Sequence, residues 1–320
     1  MKYLRLTTTN PYYNLAVEEY LFRHSAEDVL ILWQNEPTVV IGKNQNAYAE
    51  VDLVYAARKG IHVSRRITGG GAVYHDLGNV NYSLISSESS ERILDYAYFT
   101  EPILAALREL GLHCELSGRN DLLAEGRKFS GNAQYASGGR ILHHGTILFD
   151  TDVSVMSDVL KIDKEKLAYR AVKSCKSRVV NLATLLKEPM GVSDFMACLE
   201  RYLCAHLDAE PMSAPDDPRL SALCERNASE EWILSDRRYL TSYTVTRKKK
   251  FPYGLVKVEL SLLGDRIEGI RISGDFFGTA PIEELEARLT SQSLSSLPPT
   301  DPSPYVSGMT YEELVGLLNE

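Results

Sequence analysis

Short apolar or alternating segments in the first part of the chain predict β-strands. Val29–Trp33 and Thr38–Ile41 are apolar runs of strand length, and a polar turn containing a proline separates them. Residues 61–66 alternate between apolar and polar side chains, and residues 72–74 form a second short strand-like segment. Three consecutive glycines lie between these two segments, which favours either a hairpin turn or a ligand-binding loop.

Further short strands are predicted between residues 118 and 146. Glu125-Gly126 and the stretch 136–139 are both rich in residues that favour tight turns, so the intervening segments are expected to form a meander. Apolar residues at helical spacing and capping residues predict helices elsewhere. The predicted helices cover residues 14–25, 52–59, 98–110 and 195–206, with Asn14 as the first N-cap and Gly60 and Gly111 as left-handed C-caps.

The pattern changes after about residue 208, where three prolines interrupt the chain. A short helix (220–226), a hairpin (254–263 and 266–273), a helix with Pro281 at its first position and a final capped helix (311–318) are predicted beyond them. The basic run Arg247–Lys250 is interpreted as a solvated linker. We therefore expect two domains, residues 1–240 and 241–320.

Composition and charge exclude several classes of protein. The chain has 320 residues, of which 44% are hydrophobic and 24% charged, as in ordinary soluble globular proteins. Its net charge of −8 argues against nucleic-acid binding, which requires a basic surface. The five cysteines form no C-x-x-C pair, and no apolar run reaches the ~18 residues that span a bilayer. A cytoplasmic protein with no membrane partner is expected.

The first candidate for chemistry is the glycine-rich motif Arg65-Arg66-Ile-Thr-Gly-Gly-Gly-Ala-Val-Tyr-His75-Asp76. Three adjacent glycines let the backbone approach a ligand closely and turn N–H groups toward an anion. The paired arginines before them are planar, permanently charged donors that suit carboxylate or phosphate. The alternative is a glycine-rich hairpin turn flanked by surface arginines.

A second motif lies about fifty residues further on and centres on Lys128. It comprises Gly118-Arg-Asn120-Asp121-Leu122, Arg127-Lys128-Phe-Ser130-Gly131-Asn132-Ala133 and His143-His144-Gly145-Thr146. The small residues that follow Lys128 leave space for its side chain to cross a cleft, where its charge would neutralise two acidic groups. A solvated strand lysine is the alternative.

Together the two motifs resemble those of the lipoate–protein ligase family, part of the biotin/lipoate ligase superfamily. The resemblance extends to Asn14-Leu-Ala, Glu18-Glu19, Gly78-Asn79 and Ser177-Arg-Val-Val-Asn-Leu182, in the family's order over about two thirds of the chain. It implies an α/β (α+β) fold: a large mixed-sheet catalytic domain and a small α+β C-terminal accessory domain.

The resemblance also implies a two-step reaction and its participants. ATP and Mg²⁺ activate lipoate to lipoyl-AMP, and the lipoyl group passes to a lysine on lipoyl carrier domains of 2-oxoacid dehydrogenase complexes or on glycine cleavage H protein. Lys128 is the implied catalytic residue. The implied ATP-binding residues are Arg66, Gly71, Ala72, Val73, Tyr74 and Lys128; those for lipoate are Lys128, Gly70, Gly71, His144 and Gly145. Supporting roles fall to Asn120, Asp121, Ser130, Gly131 and His75, with Asp121 or Asp76 at the metal and Val73 and Ile147 as aliphatic walls of the lipoyl site.

Three other functions remain open at this stage. An ATP-independent octanoyl or lipoyl acyltransferase of the same fold would use Cys175 as its nucleophile, with Lys128 as partner. A biotin ligase is a further relative, but its basic Gly-Arg-Gly-Arg loop is not found in this sequence. A non-catalytic lipoate- or carrier-binding adaptor would bind its ligand without consuming ATP.

Overall fold

A computed structural model describes residues 1–89, 91–161, 178–234 and 243–320, and its largest feature is a mixed eight-stranded sheet. The strands of that sheet lie in the order β11-β1-β2-β6-β10-β9-β8-β7. The strands are β1 (Lys2–Arg5), β2 (Val29–Trp33), β3 (Thr38–Ile41), β4 (His62–Arg65), β5 (Val73–His75), β6 (Asn79–Ser87), β7 (Cys114–Ser117), β8 (Asp121–Ala124), β9 (Arg127–Ser137), β10 (Arg140–Leu148), β11 (Glu210–Pro211), β12 (Val245–Phe251), β13 (Gly254–Leu263) and β14 (Arg266–Gly274).

Helices cover both faces of the large sheet, so alternate residues of a central strand enter two different cores. Leu30 and Leu32 of β2 pack with residues of α4 and α6, whereas Ile31 and Trp33 pack with residues of α1. The helices are α1 (Pro11–His24), α2 (Ala47–Glu50), α3 (Leu53–Lys59), α4 (Tyr96–Glu109), α5 (Val153–Val159), α6 (Val192–His206), α7 (Pro218–Ala228), α8 (Glu230–Leu234), α9 (Ile282–Leu289) and α10 (Tyr311–Asn319).

A separate three-stranded sheet determines the path of the glycine-rich segment. Its order is β4-β3-β5, with β3 parallel to β4 and antiparallel to β5. The two strand-like segments that flank the glycines are indeed strands, but β3 lies between them. The hairpin interpretation is therefore wrong, because the glycines lie on a crossover between the two edges of this sheet.

The meander around the second motif agrees with the prediction. β8, β9 and β10 pair antiparallel, and their connecting turns use positive φ angles at Glu125 and Gly126 (51° and 71°) and at Gly138 and Gly139 (61° and 77°). Two successive residues with φ > 0 form the turn that matches the twist of adjacent strands. The turn chemistry alone was sufficient to predict these connections.

The start of α1 differs from the prediction. Its N-cap is Asn10, whose side chain accepts hydrogen bonds from the backbone of Tyr12 and Tyr13, and Pro11 occupies the first turn. Asn14 lies inside the helix, where its buried amide donates to the carbonyl oxygens of Thr8 and Gln34. The N-cap therefore lies four residues earlier than predicted, and the Asn14 side chain binds the neighbouring loop instead.

The C-terminal part forms a three-stranded antiparallel sheet, β12-β13-β14, which packs with α9 and α10 around its own apolar core. The predicted hairpin and the capping box of Thr310 and Glu313 are both present. The basic run Arg247–Lys250 lies inside β12, so the linker interpretation is wrong. Pro281 is the N-cap of α9 and not its first helical residue. The division at residue 240 stays a prediction.

Within the described ranges, no helix is long and apolar enough to cross a membrane. Cys175 and Ser177 of the sequence-based hypotheses lie outside the described residues.

Candidate active site

A row of residues across the large sheet forms one wall of a cavity beside the glycine-rich segment. Trp33 of β2 pairs with Asn81 of β6, which pairs with Thr146 of β10. The backbone N–H of Gly131 on β9 lies 3.4 Å from Thr146 Oγ1, and Gly131 pairs with Asp121 on β8. Because neighbouring strands are about 4.8 Å apart, Asn81 lies two strands, roughly 10 Å, from Gly131.

Lys128 reaches this row over Gly131. A methyl group on Gly131 would lie 3.2 Å from Lys128 Nζ and 3.3 Å from its Cε, so the absent side chain makes room for the lysine. The ammonium ends 2.7 Å from Asp121 Oδ1, and both side chains are about 40% exposed. The lysine backbone is held by the N–H of Val180, which donates to its carbonyl oxygen at 3.0 Å. A cation thus stands at the cavity, within reach of solvent.

The glycine-rich loop lies opposite and is shaped by Arg66. This buried guanidinium donates to the carbonyl oxygens of Gly69 (2.7 Å), Gly71 (2.8 Å) and Val40 (3.1 Å). Burial lowers the pKa of Arg66 to about 10, so the group keeps its charge at neutral pH. Together with the bond from Nε to Thr68 Oγ1, these contacts occupy most of the N–H donors of Arg66. A contact between Arg66 and nucleotide phosphates, as predicted, would compete with them.

Arg65 faces the other way. Its buried guanidinium donates to backbone carbonyl oxygens of the 42–45 segment and of Trp232 and Ile233 on α8. Arg65 therefore joins β4 to these two segments, and of the two arginines only Arg66 lines the cavity.

The structure brings most of the predicted site residues to one cavity. Those that line it are Arg66, Gly70, Gly71, Ala72, Val73, His75, Asn120, Lys128, Gly131, His144 and Gly145. Asp121 reaches the cavity through Lys128, and the hydroxyl of Ser130 accepts from the amide of Asn132. Tyr74 packs into a separate core with Val39 and Ile41, and Ile147 lies in the core under the opposite face of the sheet.

Several lining residues had no predicted role, although Leu15, Asn132, Ala133 and Thr146 lie within the quoted motifs. The full set without a predicted role is Leu15, Trp33, Val40, Asn81, Asn132, Ala133 and Thr146. The apolar members resemble core residues in any sequence pattern, so they carried no signal. Asn81 did carry one, since an asparagine in the middle of a buried strand requires a partner.

Three histidines surround the cavity in different environments. His144 Nδ1 lies 2.9 Å from Glu18 Oε1, and its Nε2 lies 2.9 Å from Thr68 Oγ1. His75 Nδ1 accepts from the side chain of Asn35 at 3.0 Å, and burial lowers the pKa of His75 to about 3. His143 points into the opposite core. It stacks on Phe99, and burial lowers its pKa also to about 3.

The C-terminal part contacts both motifs. The Gly70 N–H donates to the carbonyl oxygen of Phe276 at 3.3 Å, and the ring of Phe277 lies against Gly70. The guanidinium of Arg119 lies 4.4 Å from the centre of the same ring and donates to the Tyr253 carbonyl oxygen at 3.1 Å. Arg119 belongs to the second motif, but nothing in the sequence linked Tyr253, Phe276 or Phe277 to the site.

The described residues do not provide a magnesium site of their own. No three histidine, cysteine or carboxylate side chains converge anywhere in the part of the chain that the structure describes. Asp121 is already paired with Lys128, and Asp76 accepts hydrogen bonds from the backbone N–H groups of Gly78 and Asp152. Mg²⁺ takes six oxygen ligands, so any ion here would be held mainly by ligand oxygens and water.

Two protein-family models match the chain. Residues 10–204 match the lipoyl protein ligase A/B catalytic domain, and residues 241–318 match the bacterial lipoate protein ligase C-terminus. The lipoate-protein ligase LplJ of Bacillus subtilis is 36% identical over 88% of this chain and 87% of its own length. Lipoate–protein ligase 1 of Staphylococcus aureus is 33% identical over 88% of this chain and 86% of its own.

Solved structures agree with these matches. P. falciparum LipL1 in complex with lipoate superimposes with a TM-score of 0.76 at 22% identity over 91% of this chain and 90% of its own, a likeness of fold. A bipartite lipoate protein ligase of Thermoplasma acidophilum, studied with its E2 lipoyl domain, superimposes with a TM-score of 0.64 at 29% identity. The match covers 76% of this chain and 98% of that protein. Lipoate-protein ligase A bound with ATP superimposes with a TM-score of 0.61 at 28% identity, and the match covers 73% of this chain and 98% of that protein.

Proposed function

Because this chain belongs to the lipoate–protein ligase family, we propose that it activates lipoate with ATP and transfers the lipoyl group to a carrier lysine. The observation that carries this proposal is the position of Lys128, whose ammonium stands over Gly131 at the cavity that the glycine-rich loop borders. The ATP-bound relative supports ATP as the second substrate.

In the first step, a lipoate carboxylate oxygen attacks the α-phosphorus of ATP. A new oxygen–phosphorus bond forms, the bond between the α-phosphorus and the bridging oxygen breaks, and pyrophosphate leaves with the bonding electrons. Two anions must meet for this reaction, so a fixed cation that contacts both oxygens lowers the barrier. We assign this role to Lys128, and the backbone N–H groups of Gly71, Ala72 and Val73, which line the same cavity, to the phosphates.

In the second step, the ε-amine of a carrier lysine attacks the acyl carbon of lipoyl-AMP. A carbon–nitrogen bond forms, the acyl carbon–oxygen bond breaks, AMP leaves and the amine loses its proton. Lys128 again stabilises negative charge as AMP departs. The relative studied with its E2 lipoyl domain supports lipoyl carrier domains as acceptors, and glycine cleavage H protein belongs to the same proposal.

Magnesium enters this proposal as part of the nucleotide substrate. The phosphate oxygens would supply most of its hard ligands, because no three carboxylate, histidine or cysteine side chains converge among the described residues, and we assign one further oxygen to Asp121. No step above requires an ion bound by the protein alone.

Lipoate-dependent ATP–pyrophosphate exchange by the purified protein tests the adenylation step. We expect exchange in the parent protein, a loss on the order of 10²–10³-fold in Lys128→Ala, and partial activity in Lys128→Arg, which keeps the charge but changes its geometry. Lys187→Ala removes an exposed lysine outside the cavity and serves as the matched control. Exchange that is unchanged in Lys128→Ala would remove this residue from the reaction.

The same preparation tests the alternatives. An acyltransferase would show no exchange and would move an acyl group between carriers in a reaction that Cys175→Ser abolishes. An adaptor would bind lipoate or a carrier equally well with and without Lys128, and would consume no ATP.

A further inference from the structure

A buried chain of side chains connects helix α1 to the glycine-rich loop. Glu18 of α1 lies 2.9 Å from His144 Nδ1, and His144 Nε2 lies 2.9 Å from Thr68 Oγ1. Thr68 Oγ1 accepts a hydrogen bond from Arg66 Nε at 2.9 Å. All four residues are less than 10% exposed, and Glu18 and Thr68 are almost completely buried.

The hydrogen-bonding capacity of each group determines the direction of this chain. Arg66 only donates, so Thr68 accepts from it and its own hydroxyl hydrogen is free to point at His144. In the tautomer that carries its hydrogen on Nδ1, His144 donates to Glu18, which also accepts the Ser83 hydroxyl, and accepts at Nε2. The hydroxyl of Thr68 therefore accepts from Arg66 and donates to His144, and so joins the two parts of the chain.

The chain ends on the group that shapes the loop. Arg66 Nη2 donates to the carbonyl oxygens on both sides of Gly70, which has a φ of +90°. The backbone of Thr68 is fixed as well, because the Lys43 N–H donates to its carbonyl oxygen at 2.8 Å. Rotation of the Arg66 guanidinium would release the loop carbonyls, and Thr68 is the side chain that holds its Nε.

We infer that Thr68 is a positioning residue for the nucleotide: its hydroxyl couples Glu18 and His144 to Arg66 and so keeps the glycine-rich loop in the shape that binds ATP. The role in ATP binding rests on the proposed function, whereas the effect on the loop does not. Thr68 itself touches no substrate in this scheme. It acts through Arg66 and the backbone of Gly69 to Gly71.

Thr68→Val and Thr68→Ser separate the hydroxyl from the shape of the side chain. Valine keeps the β-branch and removes the joint, while serine keeps the hydroxyl. We expect Thr68→Val to raise the KM for ATP at least tenfold in the exchange reaction and to lower kcat less. Thr68→Ser should stay within about threefold of the parent. Thr246→Val, at an exposed strand position, is the matched control and should change neither constant.

Hydrogen–deuterium exchange gives a second readout that needs no activity. Peptides covering residues 66–73 should exchange faster in Thr68→Val than in the parent and in Thr68→Ser, while peptides from β13 and β14 should not change. Faster hydrogen–deuterium exchange in Thr68→Val, combined with no ATP–pyrophosphate exchange in the parent, would support the coupling of Thr68 to the loop and contradict the proposed function. If a folded Thr68→Val shows unchanged hydrogen–deuterium exchange in residues 66–73 and an unchanged KM for ATP, the inference is overturned.

Discussion

Lys128 and Asp121 form an ion pair of 2.7 Å directly over the unsubstituted Cα of Gly131. The pair joins the third and second strands of a meander, β9 and β8, at the border of the cavity. Both side chains are about 40% exposed, so the ion pair contributes little to stability. Its effect is to orient the ammonium group of Lys128. This relationship leads to the first two predictions.

Asp121→Asn should slow adenylation without destabilising the fold. The amide removes the charge that orients Lys128, so we expect a five- to twentyfold lower rate of ATP–pyrophosphate exchange. The free energy of unfolding should change by less than ~1 kcal/mol, as for other exposed pairs. Parallel exchange assays and denaturant titrations check both parts. A loss of stability that accounts for the lost rate would contradict the prediction.

Gly131→Ala should displace Lys128. The new methyl group would lie 3.2 Å from Nζ, closer than ordinary contact, and the flexible end of the lysine would move to relieve it. We expect roughly tenfold slower exchange with little change in melting temperature, because catalysis is sensitive to small displacements of a charge. Gly316→Ala in α10 is the control, since nothing lies near its added methyl, and it should stabilise that helix by ~1 kcal/mol. Equal rates of ATP–pyrophosphate exchange in Gly131→Ala and Gly316→Ala would show that the added methyl group does not displace Lys128.

Phe277→Leu should weaken nucleotide binding from the C-terminal part of the chain. Leucine keeps most of the buried volume but loses the ring that Arg119 covers at 4.4 Å and that lies against Gly70. We expect a several-fold higher KM for ATP at a stability cost below ~1.5 kcal/mol. Phe195→Leu, which alters the aromatic stack with Phe149 in the core, is the matched control. It should lower stability and leave the KM unchanged; a raised KM in both variants would make the effect non-specific.

His143→Phe should make the protein less sensitive to acid. Burial, and next the neighbouring His144, lower the pKa of His143 to about 3, below the value of ~6.5 for an unfolded histidine. Between these values the unfolded state binds the extra proton, so the free energy of unfolding falls as the pH falls, by up to ~1.4 kcal/mol per pH unit. Neither ring nitrogen of His143 has a hydrogen-bond partner among the described residues, so phenylalanine should be tolerated at pH 7.

Denaturant titrations of His143→Phe between pH 7 and pH 4.5 measure this difference. Below pH 6.5, the free energy of unfolding of the variant should fall less steeply with falling pH than that of the parent, the slopes differing by up to ~1.4 kcal/mol per pH unit. Above pH 7 the two slopes should be equal. Parallel curves over the whole range would show that His143 does not contribute to acid sensitivity.

Local sequence signals determined a large part of this protein. Turn residues with positive φ placed the meander that carries Lys128, and capping chemistry placed the final helix at Thr310. The two motifs identified the family, and about half of the residues they contain line one cavity. These features were predictable because each depends on neighbours within a few residues in the chain.

What the tertiary structure decided depends on contacts between distant segments. The β4-β3-β5 order turned an apparent hairpin into a crossover, because β3 inserts between the strands that flank the glycines. The contacts of the two arginines, the hydrogen bonds of Thr68 and the approach of Phe277 to Gly70 all join distant segments. The most distant of these, Gly70 and Phe277, are 207 residues apart in the chain. A local pattern records which groups need partners, and only packing in three dimensions decides which partner each one finds.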